Sequence, residues 1–282
     1  MFNNKTQDMN KIILSGLFVS TLLFSCSKEE ETVLTPSGGD DQSPTTALSA
    51  DFTAEVSGES PNAQITISNT SEGASTYEWS FSEGASLSSS TEEIPATLTV
   101  DKAGTFSITL VAKDGEEEKE ITKTLTISGH NAIQTYTNIA FDLDGDIDDQ
   151  GRMFSFDTEK MYKDSEVTDS IGSMIHLLFN SYGNTMYFFT SPTDEEFGVP
   201  QATETKIVNY ESDPTITLEE FDAMTDDQLL TDLTIVDTGE SFGNSTISHT
   251  VLFEISDGRK GVIKTKAVNS DRLLADIKIQ KY

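Results

Sequence analysis

Tyr77-Glu78-Trp79-Ser80-Phe81 puts an aromatic ring at every second position, with polar residues between. A period of two marks a β-strand with one buried face, because successive side chains point to opposite sides of the pleat. Wound as a helix, the same residues would spread their rings over opposite sides. The neighbouring stretches repeat the pattern. Ala50-Asp51-Phe52-Thr53-Ala54 opens, Ala63 to Ser68, Thr97 to Val100 and Thr105 to Val111 continue, and Glu120 to Ile127 closes. Turn signals stand between them at Ser57-Gly58, Glu72-Gly73, Glu83-Gly84, Ala103-Gly104 and Asp114-Gly115. About seven short strands in about 80 residues predict a small sandwich. Trp79 could serve as a sugar platform, but its alternation with Tyr77 and Phe81 assigns it to the core.

Residues 50–128 resemble a PKD domain, an Ig-like β-sandwich. The matching residues are Ser68-Asn69-Thr70-Ser71, Tyr77 to Phe81, Lys102-Ala103-Gly104-Thr105-Phe106 and the closing strand. The family usually has an aspartate after the tryptophan and a Gly-Asp-Gly turn after the phenylalanine. Here Ser80 and Ser82-Glu83-Gly84 stand there. The resemblance implies a spacer.

Gly129-His130-Asn131 marks a boundary, and residues 132–282 read as a second β-sandwich-like domain, so the chain is expected to be all-β. Arg152 to Asp157 is a strand with Phe154 and Phe156 inward. Ser173 to Phe179 and Asn184 to Thr190 are apolar on both faces and hence central. Thr246 to Glu254, Lys260 to Ala267 and Leu273 to Lys281 complete the strands, the last with Leu273, Ala275, Ile277 and Ile279 on one face. Thr217-Leu218-Glu219-Glu220 reads as a capping box, predicting one short helix over Phe221 to Leu230. Gly151 to Phe156, Phe189 to Pro192 and Asp257 to Lys264 resemble stretches in the β-sandwich C-terminal halves of Bacteroidetes surface lipoproteins.

Residues 1–25 read as an export signal. Lys5 and Lys11 precede an apolar run from Ile12 to Phe24, shorter than the roughly 20 residues of a membrane span. Leu23-Phe24-Ser25-Cys26 resembles a bacterial lipobox, which implies cleavage before Cys26 and its acylation. Cys26 is the only cysteine, so no disulfide partner exists for it within the chain. Ser27-Lys28-Glu29-Glu30-Glu31 is similar to the surface-export signal of Bacteroidetes lipoproteins. That implies a surface-exposed lipoprotein of the outer membrane. Residues 26–49, rich in Ser, Thr, Pro, Gly and acids, read as a flexible tether.

The chain has 282 residues, 18 basic and 48 acidic, for a formal charge of −30. Removing residues 1–25 takes away Lys5, Lys11 and Asp8, a net +1, leaving −31. A polyanion repels nucleic acid and attracts cations.

Phe141-Asp142-Leu143-Asp144-Gly145-Asp146-Ile147-Asp148 has two readings. Asp142, Asp144, Asp146 and Asp148 resemble a loose calcium-binding aspartate repeat, though the spacing is not that of an EF-hand. Alternatively Ile139, Phe141, Leu143 and Ile147 form the inner face of a strand with aspartates outside, about 6.5 Å apart on one side. Calcium is thus a possible ligand, and no cofactor is required.

An enzyme is not expected. His130 sits in a linker, and His176 and His249 lie in apolar or alternating strands. No Gly-x-Ser-x-Gly elbow and no His-x-x-x-His pair occurs. With 48 acids, chance acidic pairs carry no weight. Binding fits better, because sugars stack on exposed rings rimmed by polar groups. Tyr182, Phe197, Tyr210 and Phe242 lie in loop-like contexts and are the candidate ligand-binding residues, Tyr182 first among them. The layout of anchor, spacer and distal β-module resembles surface glycan-binding proteins of starch-utilisation-type systems. It implies non-catalytic capture of a polysaccharide or oligosaccharide, with a transporter complex as a possible partner. The competing expectation is a structural or adhesion module that binds protein.

Overall fold

The computed structural model describes residues 46–183, 185–243, 248–269 and 271–282. The expected export signal, Cys26 and nearly all of the tether lie outside them. The described chain is built on sixteen strands in four antiparallel sheets.

The first unit holds β1 (Phe52–Ser57), β2 (Ala63–Asn69), β3 (Thr76–Phe81), β4 (Ser89–Ser90), β5 (Leu98–Val100), β6 (Gly104–Asp114) and β7 (Glu117–Ile127). One sheet has the order β1-β2-β5 and the other β4-β3-β6-β7. The alternating residues meet between the sheets: Phe52, Ile65, Trp79, Leu98, Phe106, Ile108 and Leu110 share one core. Trp79 is 2% exposed. Its ring packs edge-on to Phe52 at 5.3 Å, and its Nε1–H donates to the Glu92 carbonyl at 2.9 Å. A ring so placed offers no face to a ligand.

The second unit adds β8 (Ile133–Asp142), β9 (Met153–Ser155), β10 (Lys160–Tyr162), β11 (Leu177–Tyr182), β12 (Met186–Thr190), β13 (Thr205–Val208), β14 (Thr250–Ile255), β15 (Lys260–Val268) and β16 (Arg272–Gln280). Its sheets are β10-β9-β11-β12 and β13-β14-β15-β16-β8. Phe141, Phe154, Phe179, Phe189, Phe253 and Ile277 fill the space between them, and Phe156 stacks on Phe253 at 5.5 Å. Gly261, opposite Phe253 in the ladder, must be glycine: a Cβ there would lie 2.2 Å from the Phe253 ring.

The outer faces are covered too, which is why several strands read as apolar on both sides. Leu178 and Met153 pack under Ile175 and Phe197. Leu252 and Val262 pack under Phe221, Met224 and Leu230. The cover over the five-stranded sheet is not the single helix expected. It is two pieces, α2 (Leu218–Ala223) and α3 (Gln228–Thr231), while the four-residue α1 (Asp169–Gly172) lies earlier in the chain. The capping box forms as read, with Thr217 and Glu220 bonded both ways. Met224 then turns extended, at φ −64° and ψ 121°, and ends α2. The buried Lys278 ammonium donates to the carbonyls of Phe221 and Met224.

The two units share a polar seam. Asn131 donates its N–H and its side-chain amide to the two carboxylate oxygens of Asp227, at 2.8 and 3.0 Å. The Asn131 side-chain oxygen accepts from Ala103 N–H in the first unit. Gln280 also donates to Asp227. Lys281 and Tyr282 both reach the Asp101 carboxylate, and Ala132 N–H donates to the Asp101 carbonyl at 2.8 Å.

Candidate functional site

On the outer face of the four-stranded sheet, Tyr182 and Met186 are paired residues at the ends of β11 and β12. They are 41% and 45% exposed, while Tyr187 and Phe189, one step along, point into the core. The Tyr182 ring rests on Phe188 at 5.2 Å. Together these residues form the apolar side of an open cleft of about 230 Å³.

Two loops wall the cleft. The loop after β12 brings in Asp194, whose carboxylate accepts from the Thr190 hydroxyl and from Glu196 N–H, both at 3.1 Å. Glu196, beside the Tyr182 hydroxyl, pushes that phenol up to about 12. The opposite loop supplies Asp237, Gly239, Glu240 and Ser241. It is anchored where Phe242 N–H donates to the Tyr187 carbonyl at 3.0 Å. Beneath both lies Asn209, 3% exposed. Its amide bonds the N–H and C=O of Phe189, each at 2.7 Å, standing in for a missing strand neighbour along β12.

The four expected ligand residues do not form one site. Tyr182 lies on the cleft. Phe242 is a core residue, 5% exposed, within 6.4 Å of Tyr187 and 6.3 Å of Phe179 and Phe189. Its loop folds back over the open edge of the sandwich, so it holds the cleft wall in place. Phe197 is half-buried behind the cleft, against Phe188 and beneath the Arg152 guanidinium at 5.3 Å. Tyr210, 43% exposed, lines a separate hollow of about 330 Å³ with Glu211, Thr217 and His249.

The side chains of the aspartate stretch do not converge on one point among the described residues. Strand β8 ends at Asp142, which is 2% exposed. One Asp142 oxygen accepts from the N–H groups of Asp149, Gln150 and Gly151, at 2.9, 2.8 and 2.7 Å. Its role is to close the loop. Asp144 accepts from Asp146 N–H, and Asp148 accepts from the Ser165 hydroxyl. Among the described residues no group of three or more His, Cys, Asp or Glu side chains is placed to hold a metal ion.

Reading the sequence alone missed Arg152, 7% exposed. It is forked onto Asp164 and bonded to Asn180 at 2.8 Å, joining three segments behind the cleft. His176 is a satisfied core histidine: its Nδ1 accepts from Phe156 N–H at 3.1 Å, and burial lowers its pKa. Burial alone lowers that of His249. Most of the bases of the last strands are held by acids. Lys264 is paired with Asp222, Lys266 with Asp276, Arg259 with Asp257 and Lys281 with Asp101.

Residues 43–127 match the family model of the PKD domain. The PKD match covers the two sheets around Trp79, and no residue within it lines the cleft. No curated protein matches the chain. A crystal structure of a DUF4466 family protein from Parabacteroides merdae is similar at 13% identity. The likeness covers 85% of this chain and 100% of that one, with a TM-score of 0.41, too loose an overlap to carry an argument.

Proposed function

We propose that this chain is a lipoprotein of the outer-membrane surface, anchored through Cys26, whose second unit captures glycan without catalysis. The observation that carries the reading is the cleft, where Tyr182 and Phe188 present ring surface beside hydrogen-bonding groups. Sugars need both, an apolar face to stack on and polar atoms to fix orientation. At about 230 Å³ the cleft falls below the roughly 300–1,000 Å³ of enclosed small-molecule pockets. It is a platform for a ring or two of a longer chain. The PKD domain then acts as a spacer, consistent with its buried Trp79.

Calorimetric titration of the mature chain against a panel of oligosaccharides tests the reading. An anchoring aromatic contributes at least 1–2 kcal/mol in many interfaces, so Tyr182→Ala is expected to weaken binding about tenfold or more. Its melting temperature should stay nearly unchanged, because Tyr182 is 41% exposed. Undiminished binding by that variant, or binding by the PKD domain alone, would refute the placement of the site. Cys26→Ala is expected to release the protein from membranes, and retention there would refute the anchor.

A further inference from the structure

We infer that the hollow beside Tyr210 and His249 is a second sugar subsite for the chain that lies on the Tyr182 cleft, so that the ligand is a linear oligosaccharide long enough to cover both rings. The inference rests on the glycan reading above and adds the length of the ligand and its second point of contact.

The hollow lies where β13 ends and β14 begins, neighbours in the five-stranded sheet. Its volume is about 330 Å³, against about 230 Å³ for the cleft. Its walls join the ring of Tyr210, 43% exposed, to Pro214 and Leu218 and to the hydroxyl side chains of Thr217 and Ser248. His249 completes them. Its main chain is fixed by Thr265, whose hydroxyl accepts from His249 N–H at 2.7 Å and whose N–H donates to the His249 carbonyl at 2.9 Å. The His249 Nε2 is buried and has no hydrogen-bond partner among the described residues. Ser60, Tyr136 and Thr203, which also carry such an atom, line neither the hollow nor the cleft. Buried polar atoms are ordinarily paired, and an unpaired one in the wall of a hollow points to a partner from outside the chain. Burial lowers the imidazole pKa, so the ring is neutral near pH 7. A neutral imidazole pairs with a sugar hydroxyl whichever of the two donates.

The hollow and the cleft share a wall. Asn209 lies beneath the cleft, and Tyr210, the next residue, lines the hollow; their Cα atoms are about 3.8 Å apart. Ser241 lines the cleft, and Phe242 after it packs 6.1 Å from His249, which stands 6.1 Å from Tyr210. A saccharide chain resting on Tyr182 therefore has only this wall to cross before it meets Tyr210. It then holds both contacts for a single loss of translational freedom.

The test uses the mature chain carrying Cys26→Ala and linear octasaccharides of four series: α-glucan, β-glucan, mannan and xylan. For the series that binds, one octasaccharide per chain is expected. Tyr210→Ala should weaken that binding about tenfold, the contribution of an anchoring ring. Its melting temperature should stay nearly unchanged, since the ring is 43% exposed. In the unaltered protein, magnetic resonance of the imidazole nitrogens provides a second readout. The chain has three histidines, and saturating octasaccharide should move the His249 signals while leaving those of the core residue His176 in place. Undiminished binding by Tyr210→Ala, His249 signals that stay put at saturation, or two octasaccharides per chain would each overturn the inference while leaving glycan capture standing. Binding of none of the four series would overturn glycan capture, and this inference with it.

Discussion

Replacing Asp227 by alanine is expected to uncouple the two units. Asp227 is 2% exposed and accepts three hydrogen bonds, from Asn131 N–H, the Asn131 amide and the Gln280 amide. A buried donor left without a partner costs about 1–3 kcal/mol. Asn131 and Gln280 are half-buried, so their side chains can turn to water, and the full penalty falls on the Asn131 N–H. The loss is therefore about 1–3 kcal/mol, of which part is stability of the second unit and part is adhesion between units. The chain supplies its own probe, because Trp79 is its only tryptophan and lies in the PKD domain. In urea, Trp79 fluorescence reports the PKD domain, while far-ultraviolet circular dichroism reports all the strands. In the unaltered protein the seam should make the two traces coincide. In Asp227→Ala the dichroism midpoint is expected to fall and separate from the fluorescence midpoint. Coincident traces with a midpoint shift below about 0.5 kcal/mol would refute the seam as a coupling element.

Phe242→Ala should cost about 3–5 kcal/mol, as for other buried rings, and lower the thermal midpoint sharply; a surface-like loss below about 0.5 kcal/mol would contradict its place in the core. His176 has a folded-state pKa below the ordinary 6.5 because of burial. Above 6.5 both states are neutral. As pH falls from 6.5 toward the lowered folded value, the unfolded chain takes up a proton that the folded chain refuses, and stability drops by at most about 1.4 kcal/mol per pH unit. His176→Gln should therefore show a shallower loss of melting temperature in that window, and an identical slope would refute the assignment. A calcium chelator is expected to leave the thermal midpoint where millimolar calcium leaves it, because the Asp142 carboxylate is already bonded to three N–H groups. A midpoint raised by calcium would show a site that this arrangement does not provide.

What could be read in advance follows a physical divide. Leu273, Ala275, Ile277 and Ile279 are all fully buried, as their period of two requires, and so are Ile65 and Leu98 in the PKD domain. Periodicity is a local property, and the pleat converts it directly into a face. Tyr182 and Tyr210 were legible as exposed rings for another local reason, the turn-forming residues beside them. Phe242 has the same surroundings, Ser241 and Gly243, yet is buried, because what covers it is Tyr187 and Phe189, more than fifty positions earlier. Asp227, Arg152 and Asn209 were illegible on similar grounds. A lone polar residue in a loop looks solvated until its distant partner is known, and Asn131 lies 96 positions from Asp227. The aspartate stretch misled in a different way. Its alternation is real up to Asp142, where β8 stops, and beyond that point the backbone turns to wrap one carboxylate.

The pairing of β8 with β16 sets the order in which the chain can acquire structure. Ile133 faces Gln280 across that ladder, and Asp142 faces Arg272. The first strand of the second unit thus has no sheet to join until the last has been delivered. The PKD domain closes on itself within residues 52–127 and can fold as soon as that segment is free. A chain emerging amino end first would carry a finished sandwich followed by β8 without its ladder partner, although β9 to β12 can already pair among themselves. An exposed edge of this kind is prone to aggregate, so the yield of folded protein depends on rapid completion of the final ladder or on a chaperone that shields the waiting strand.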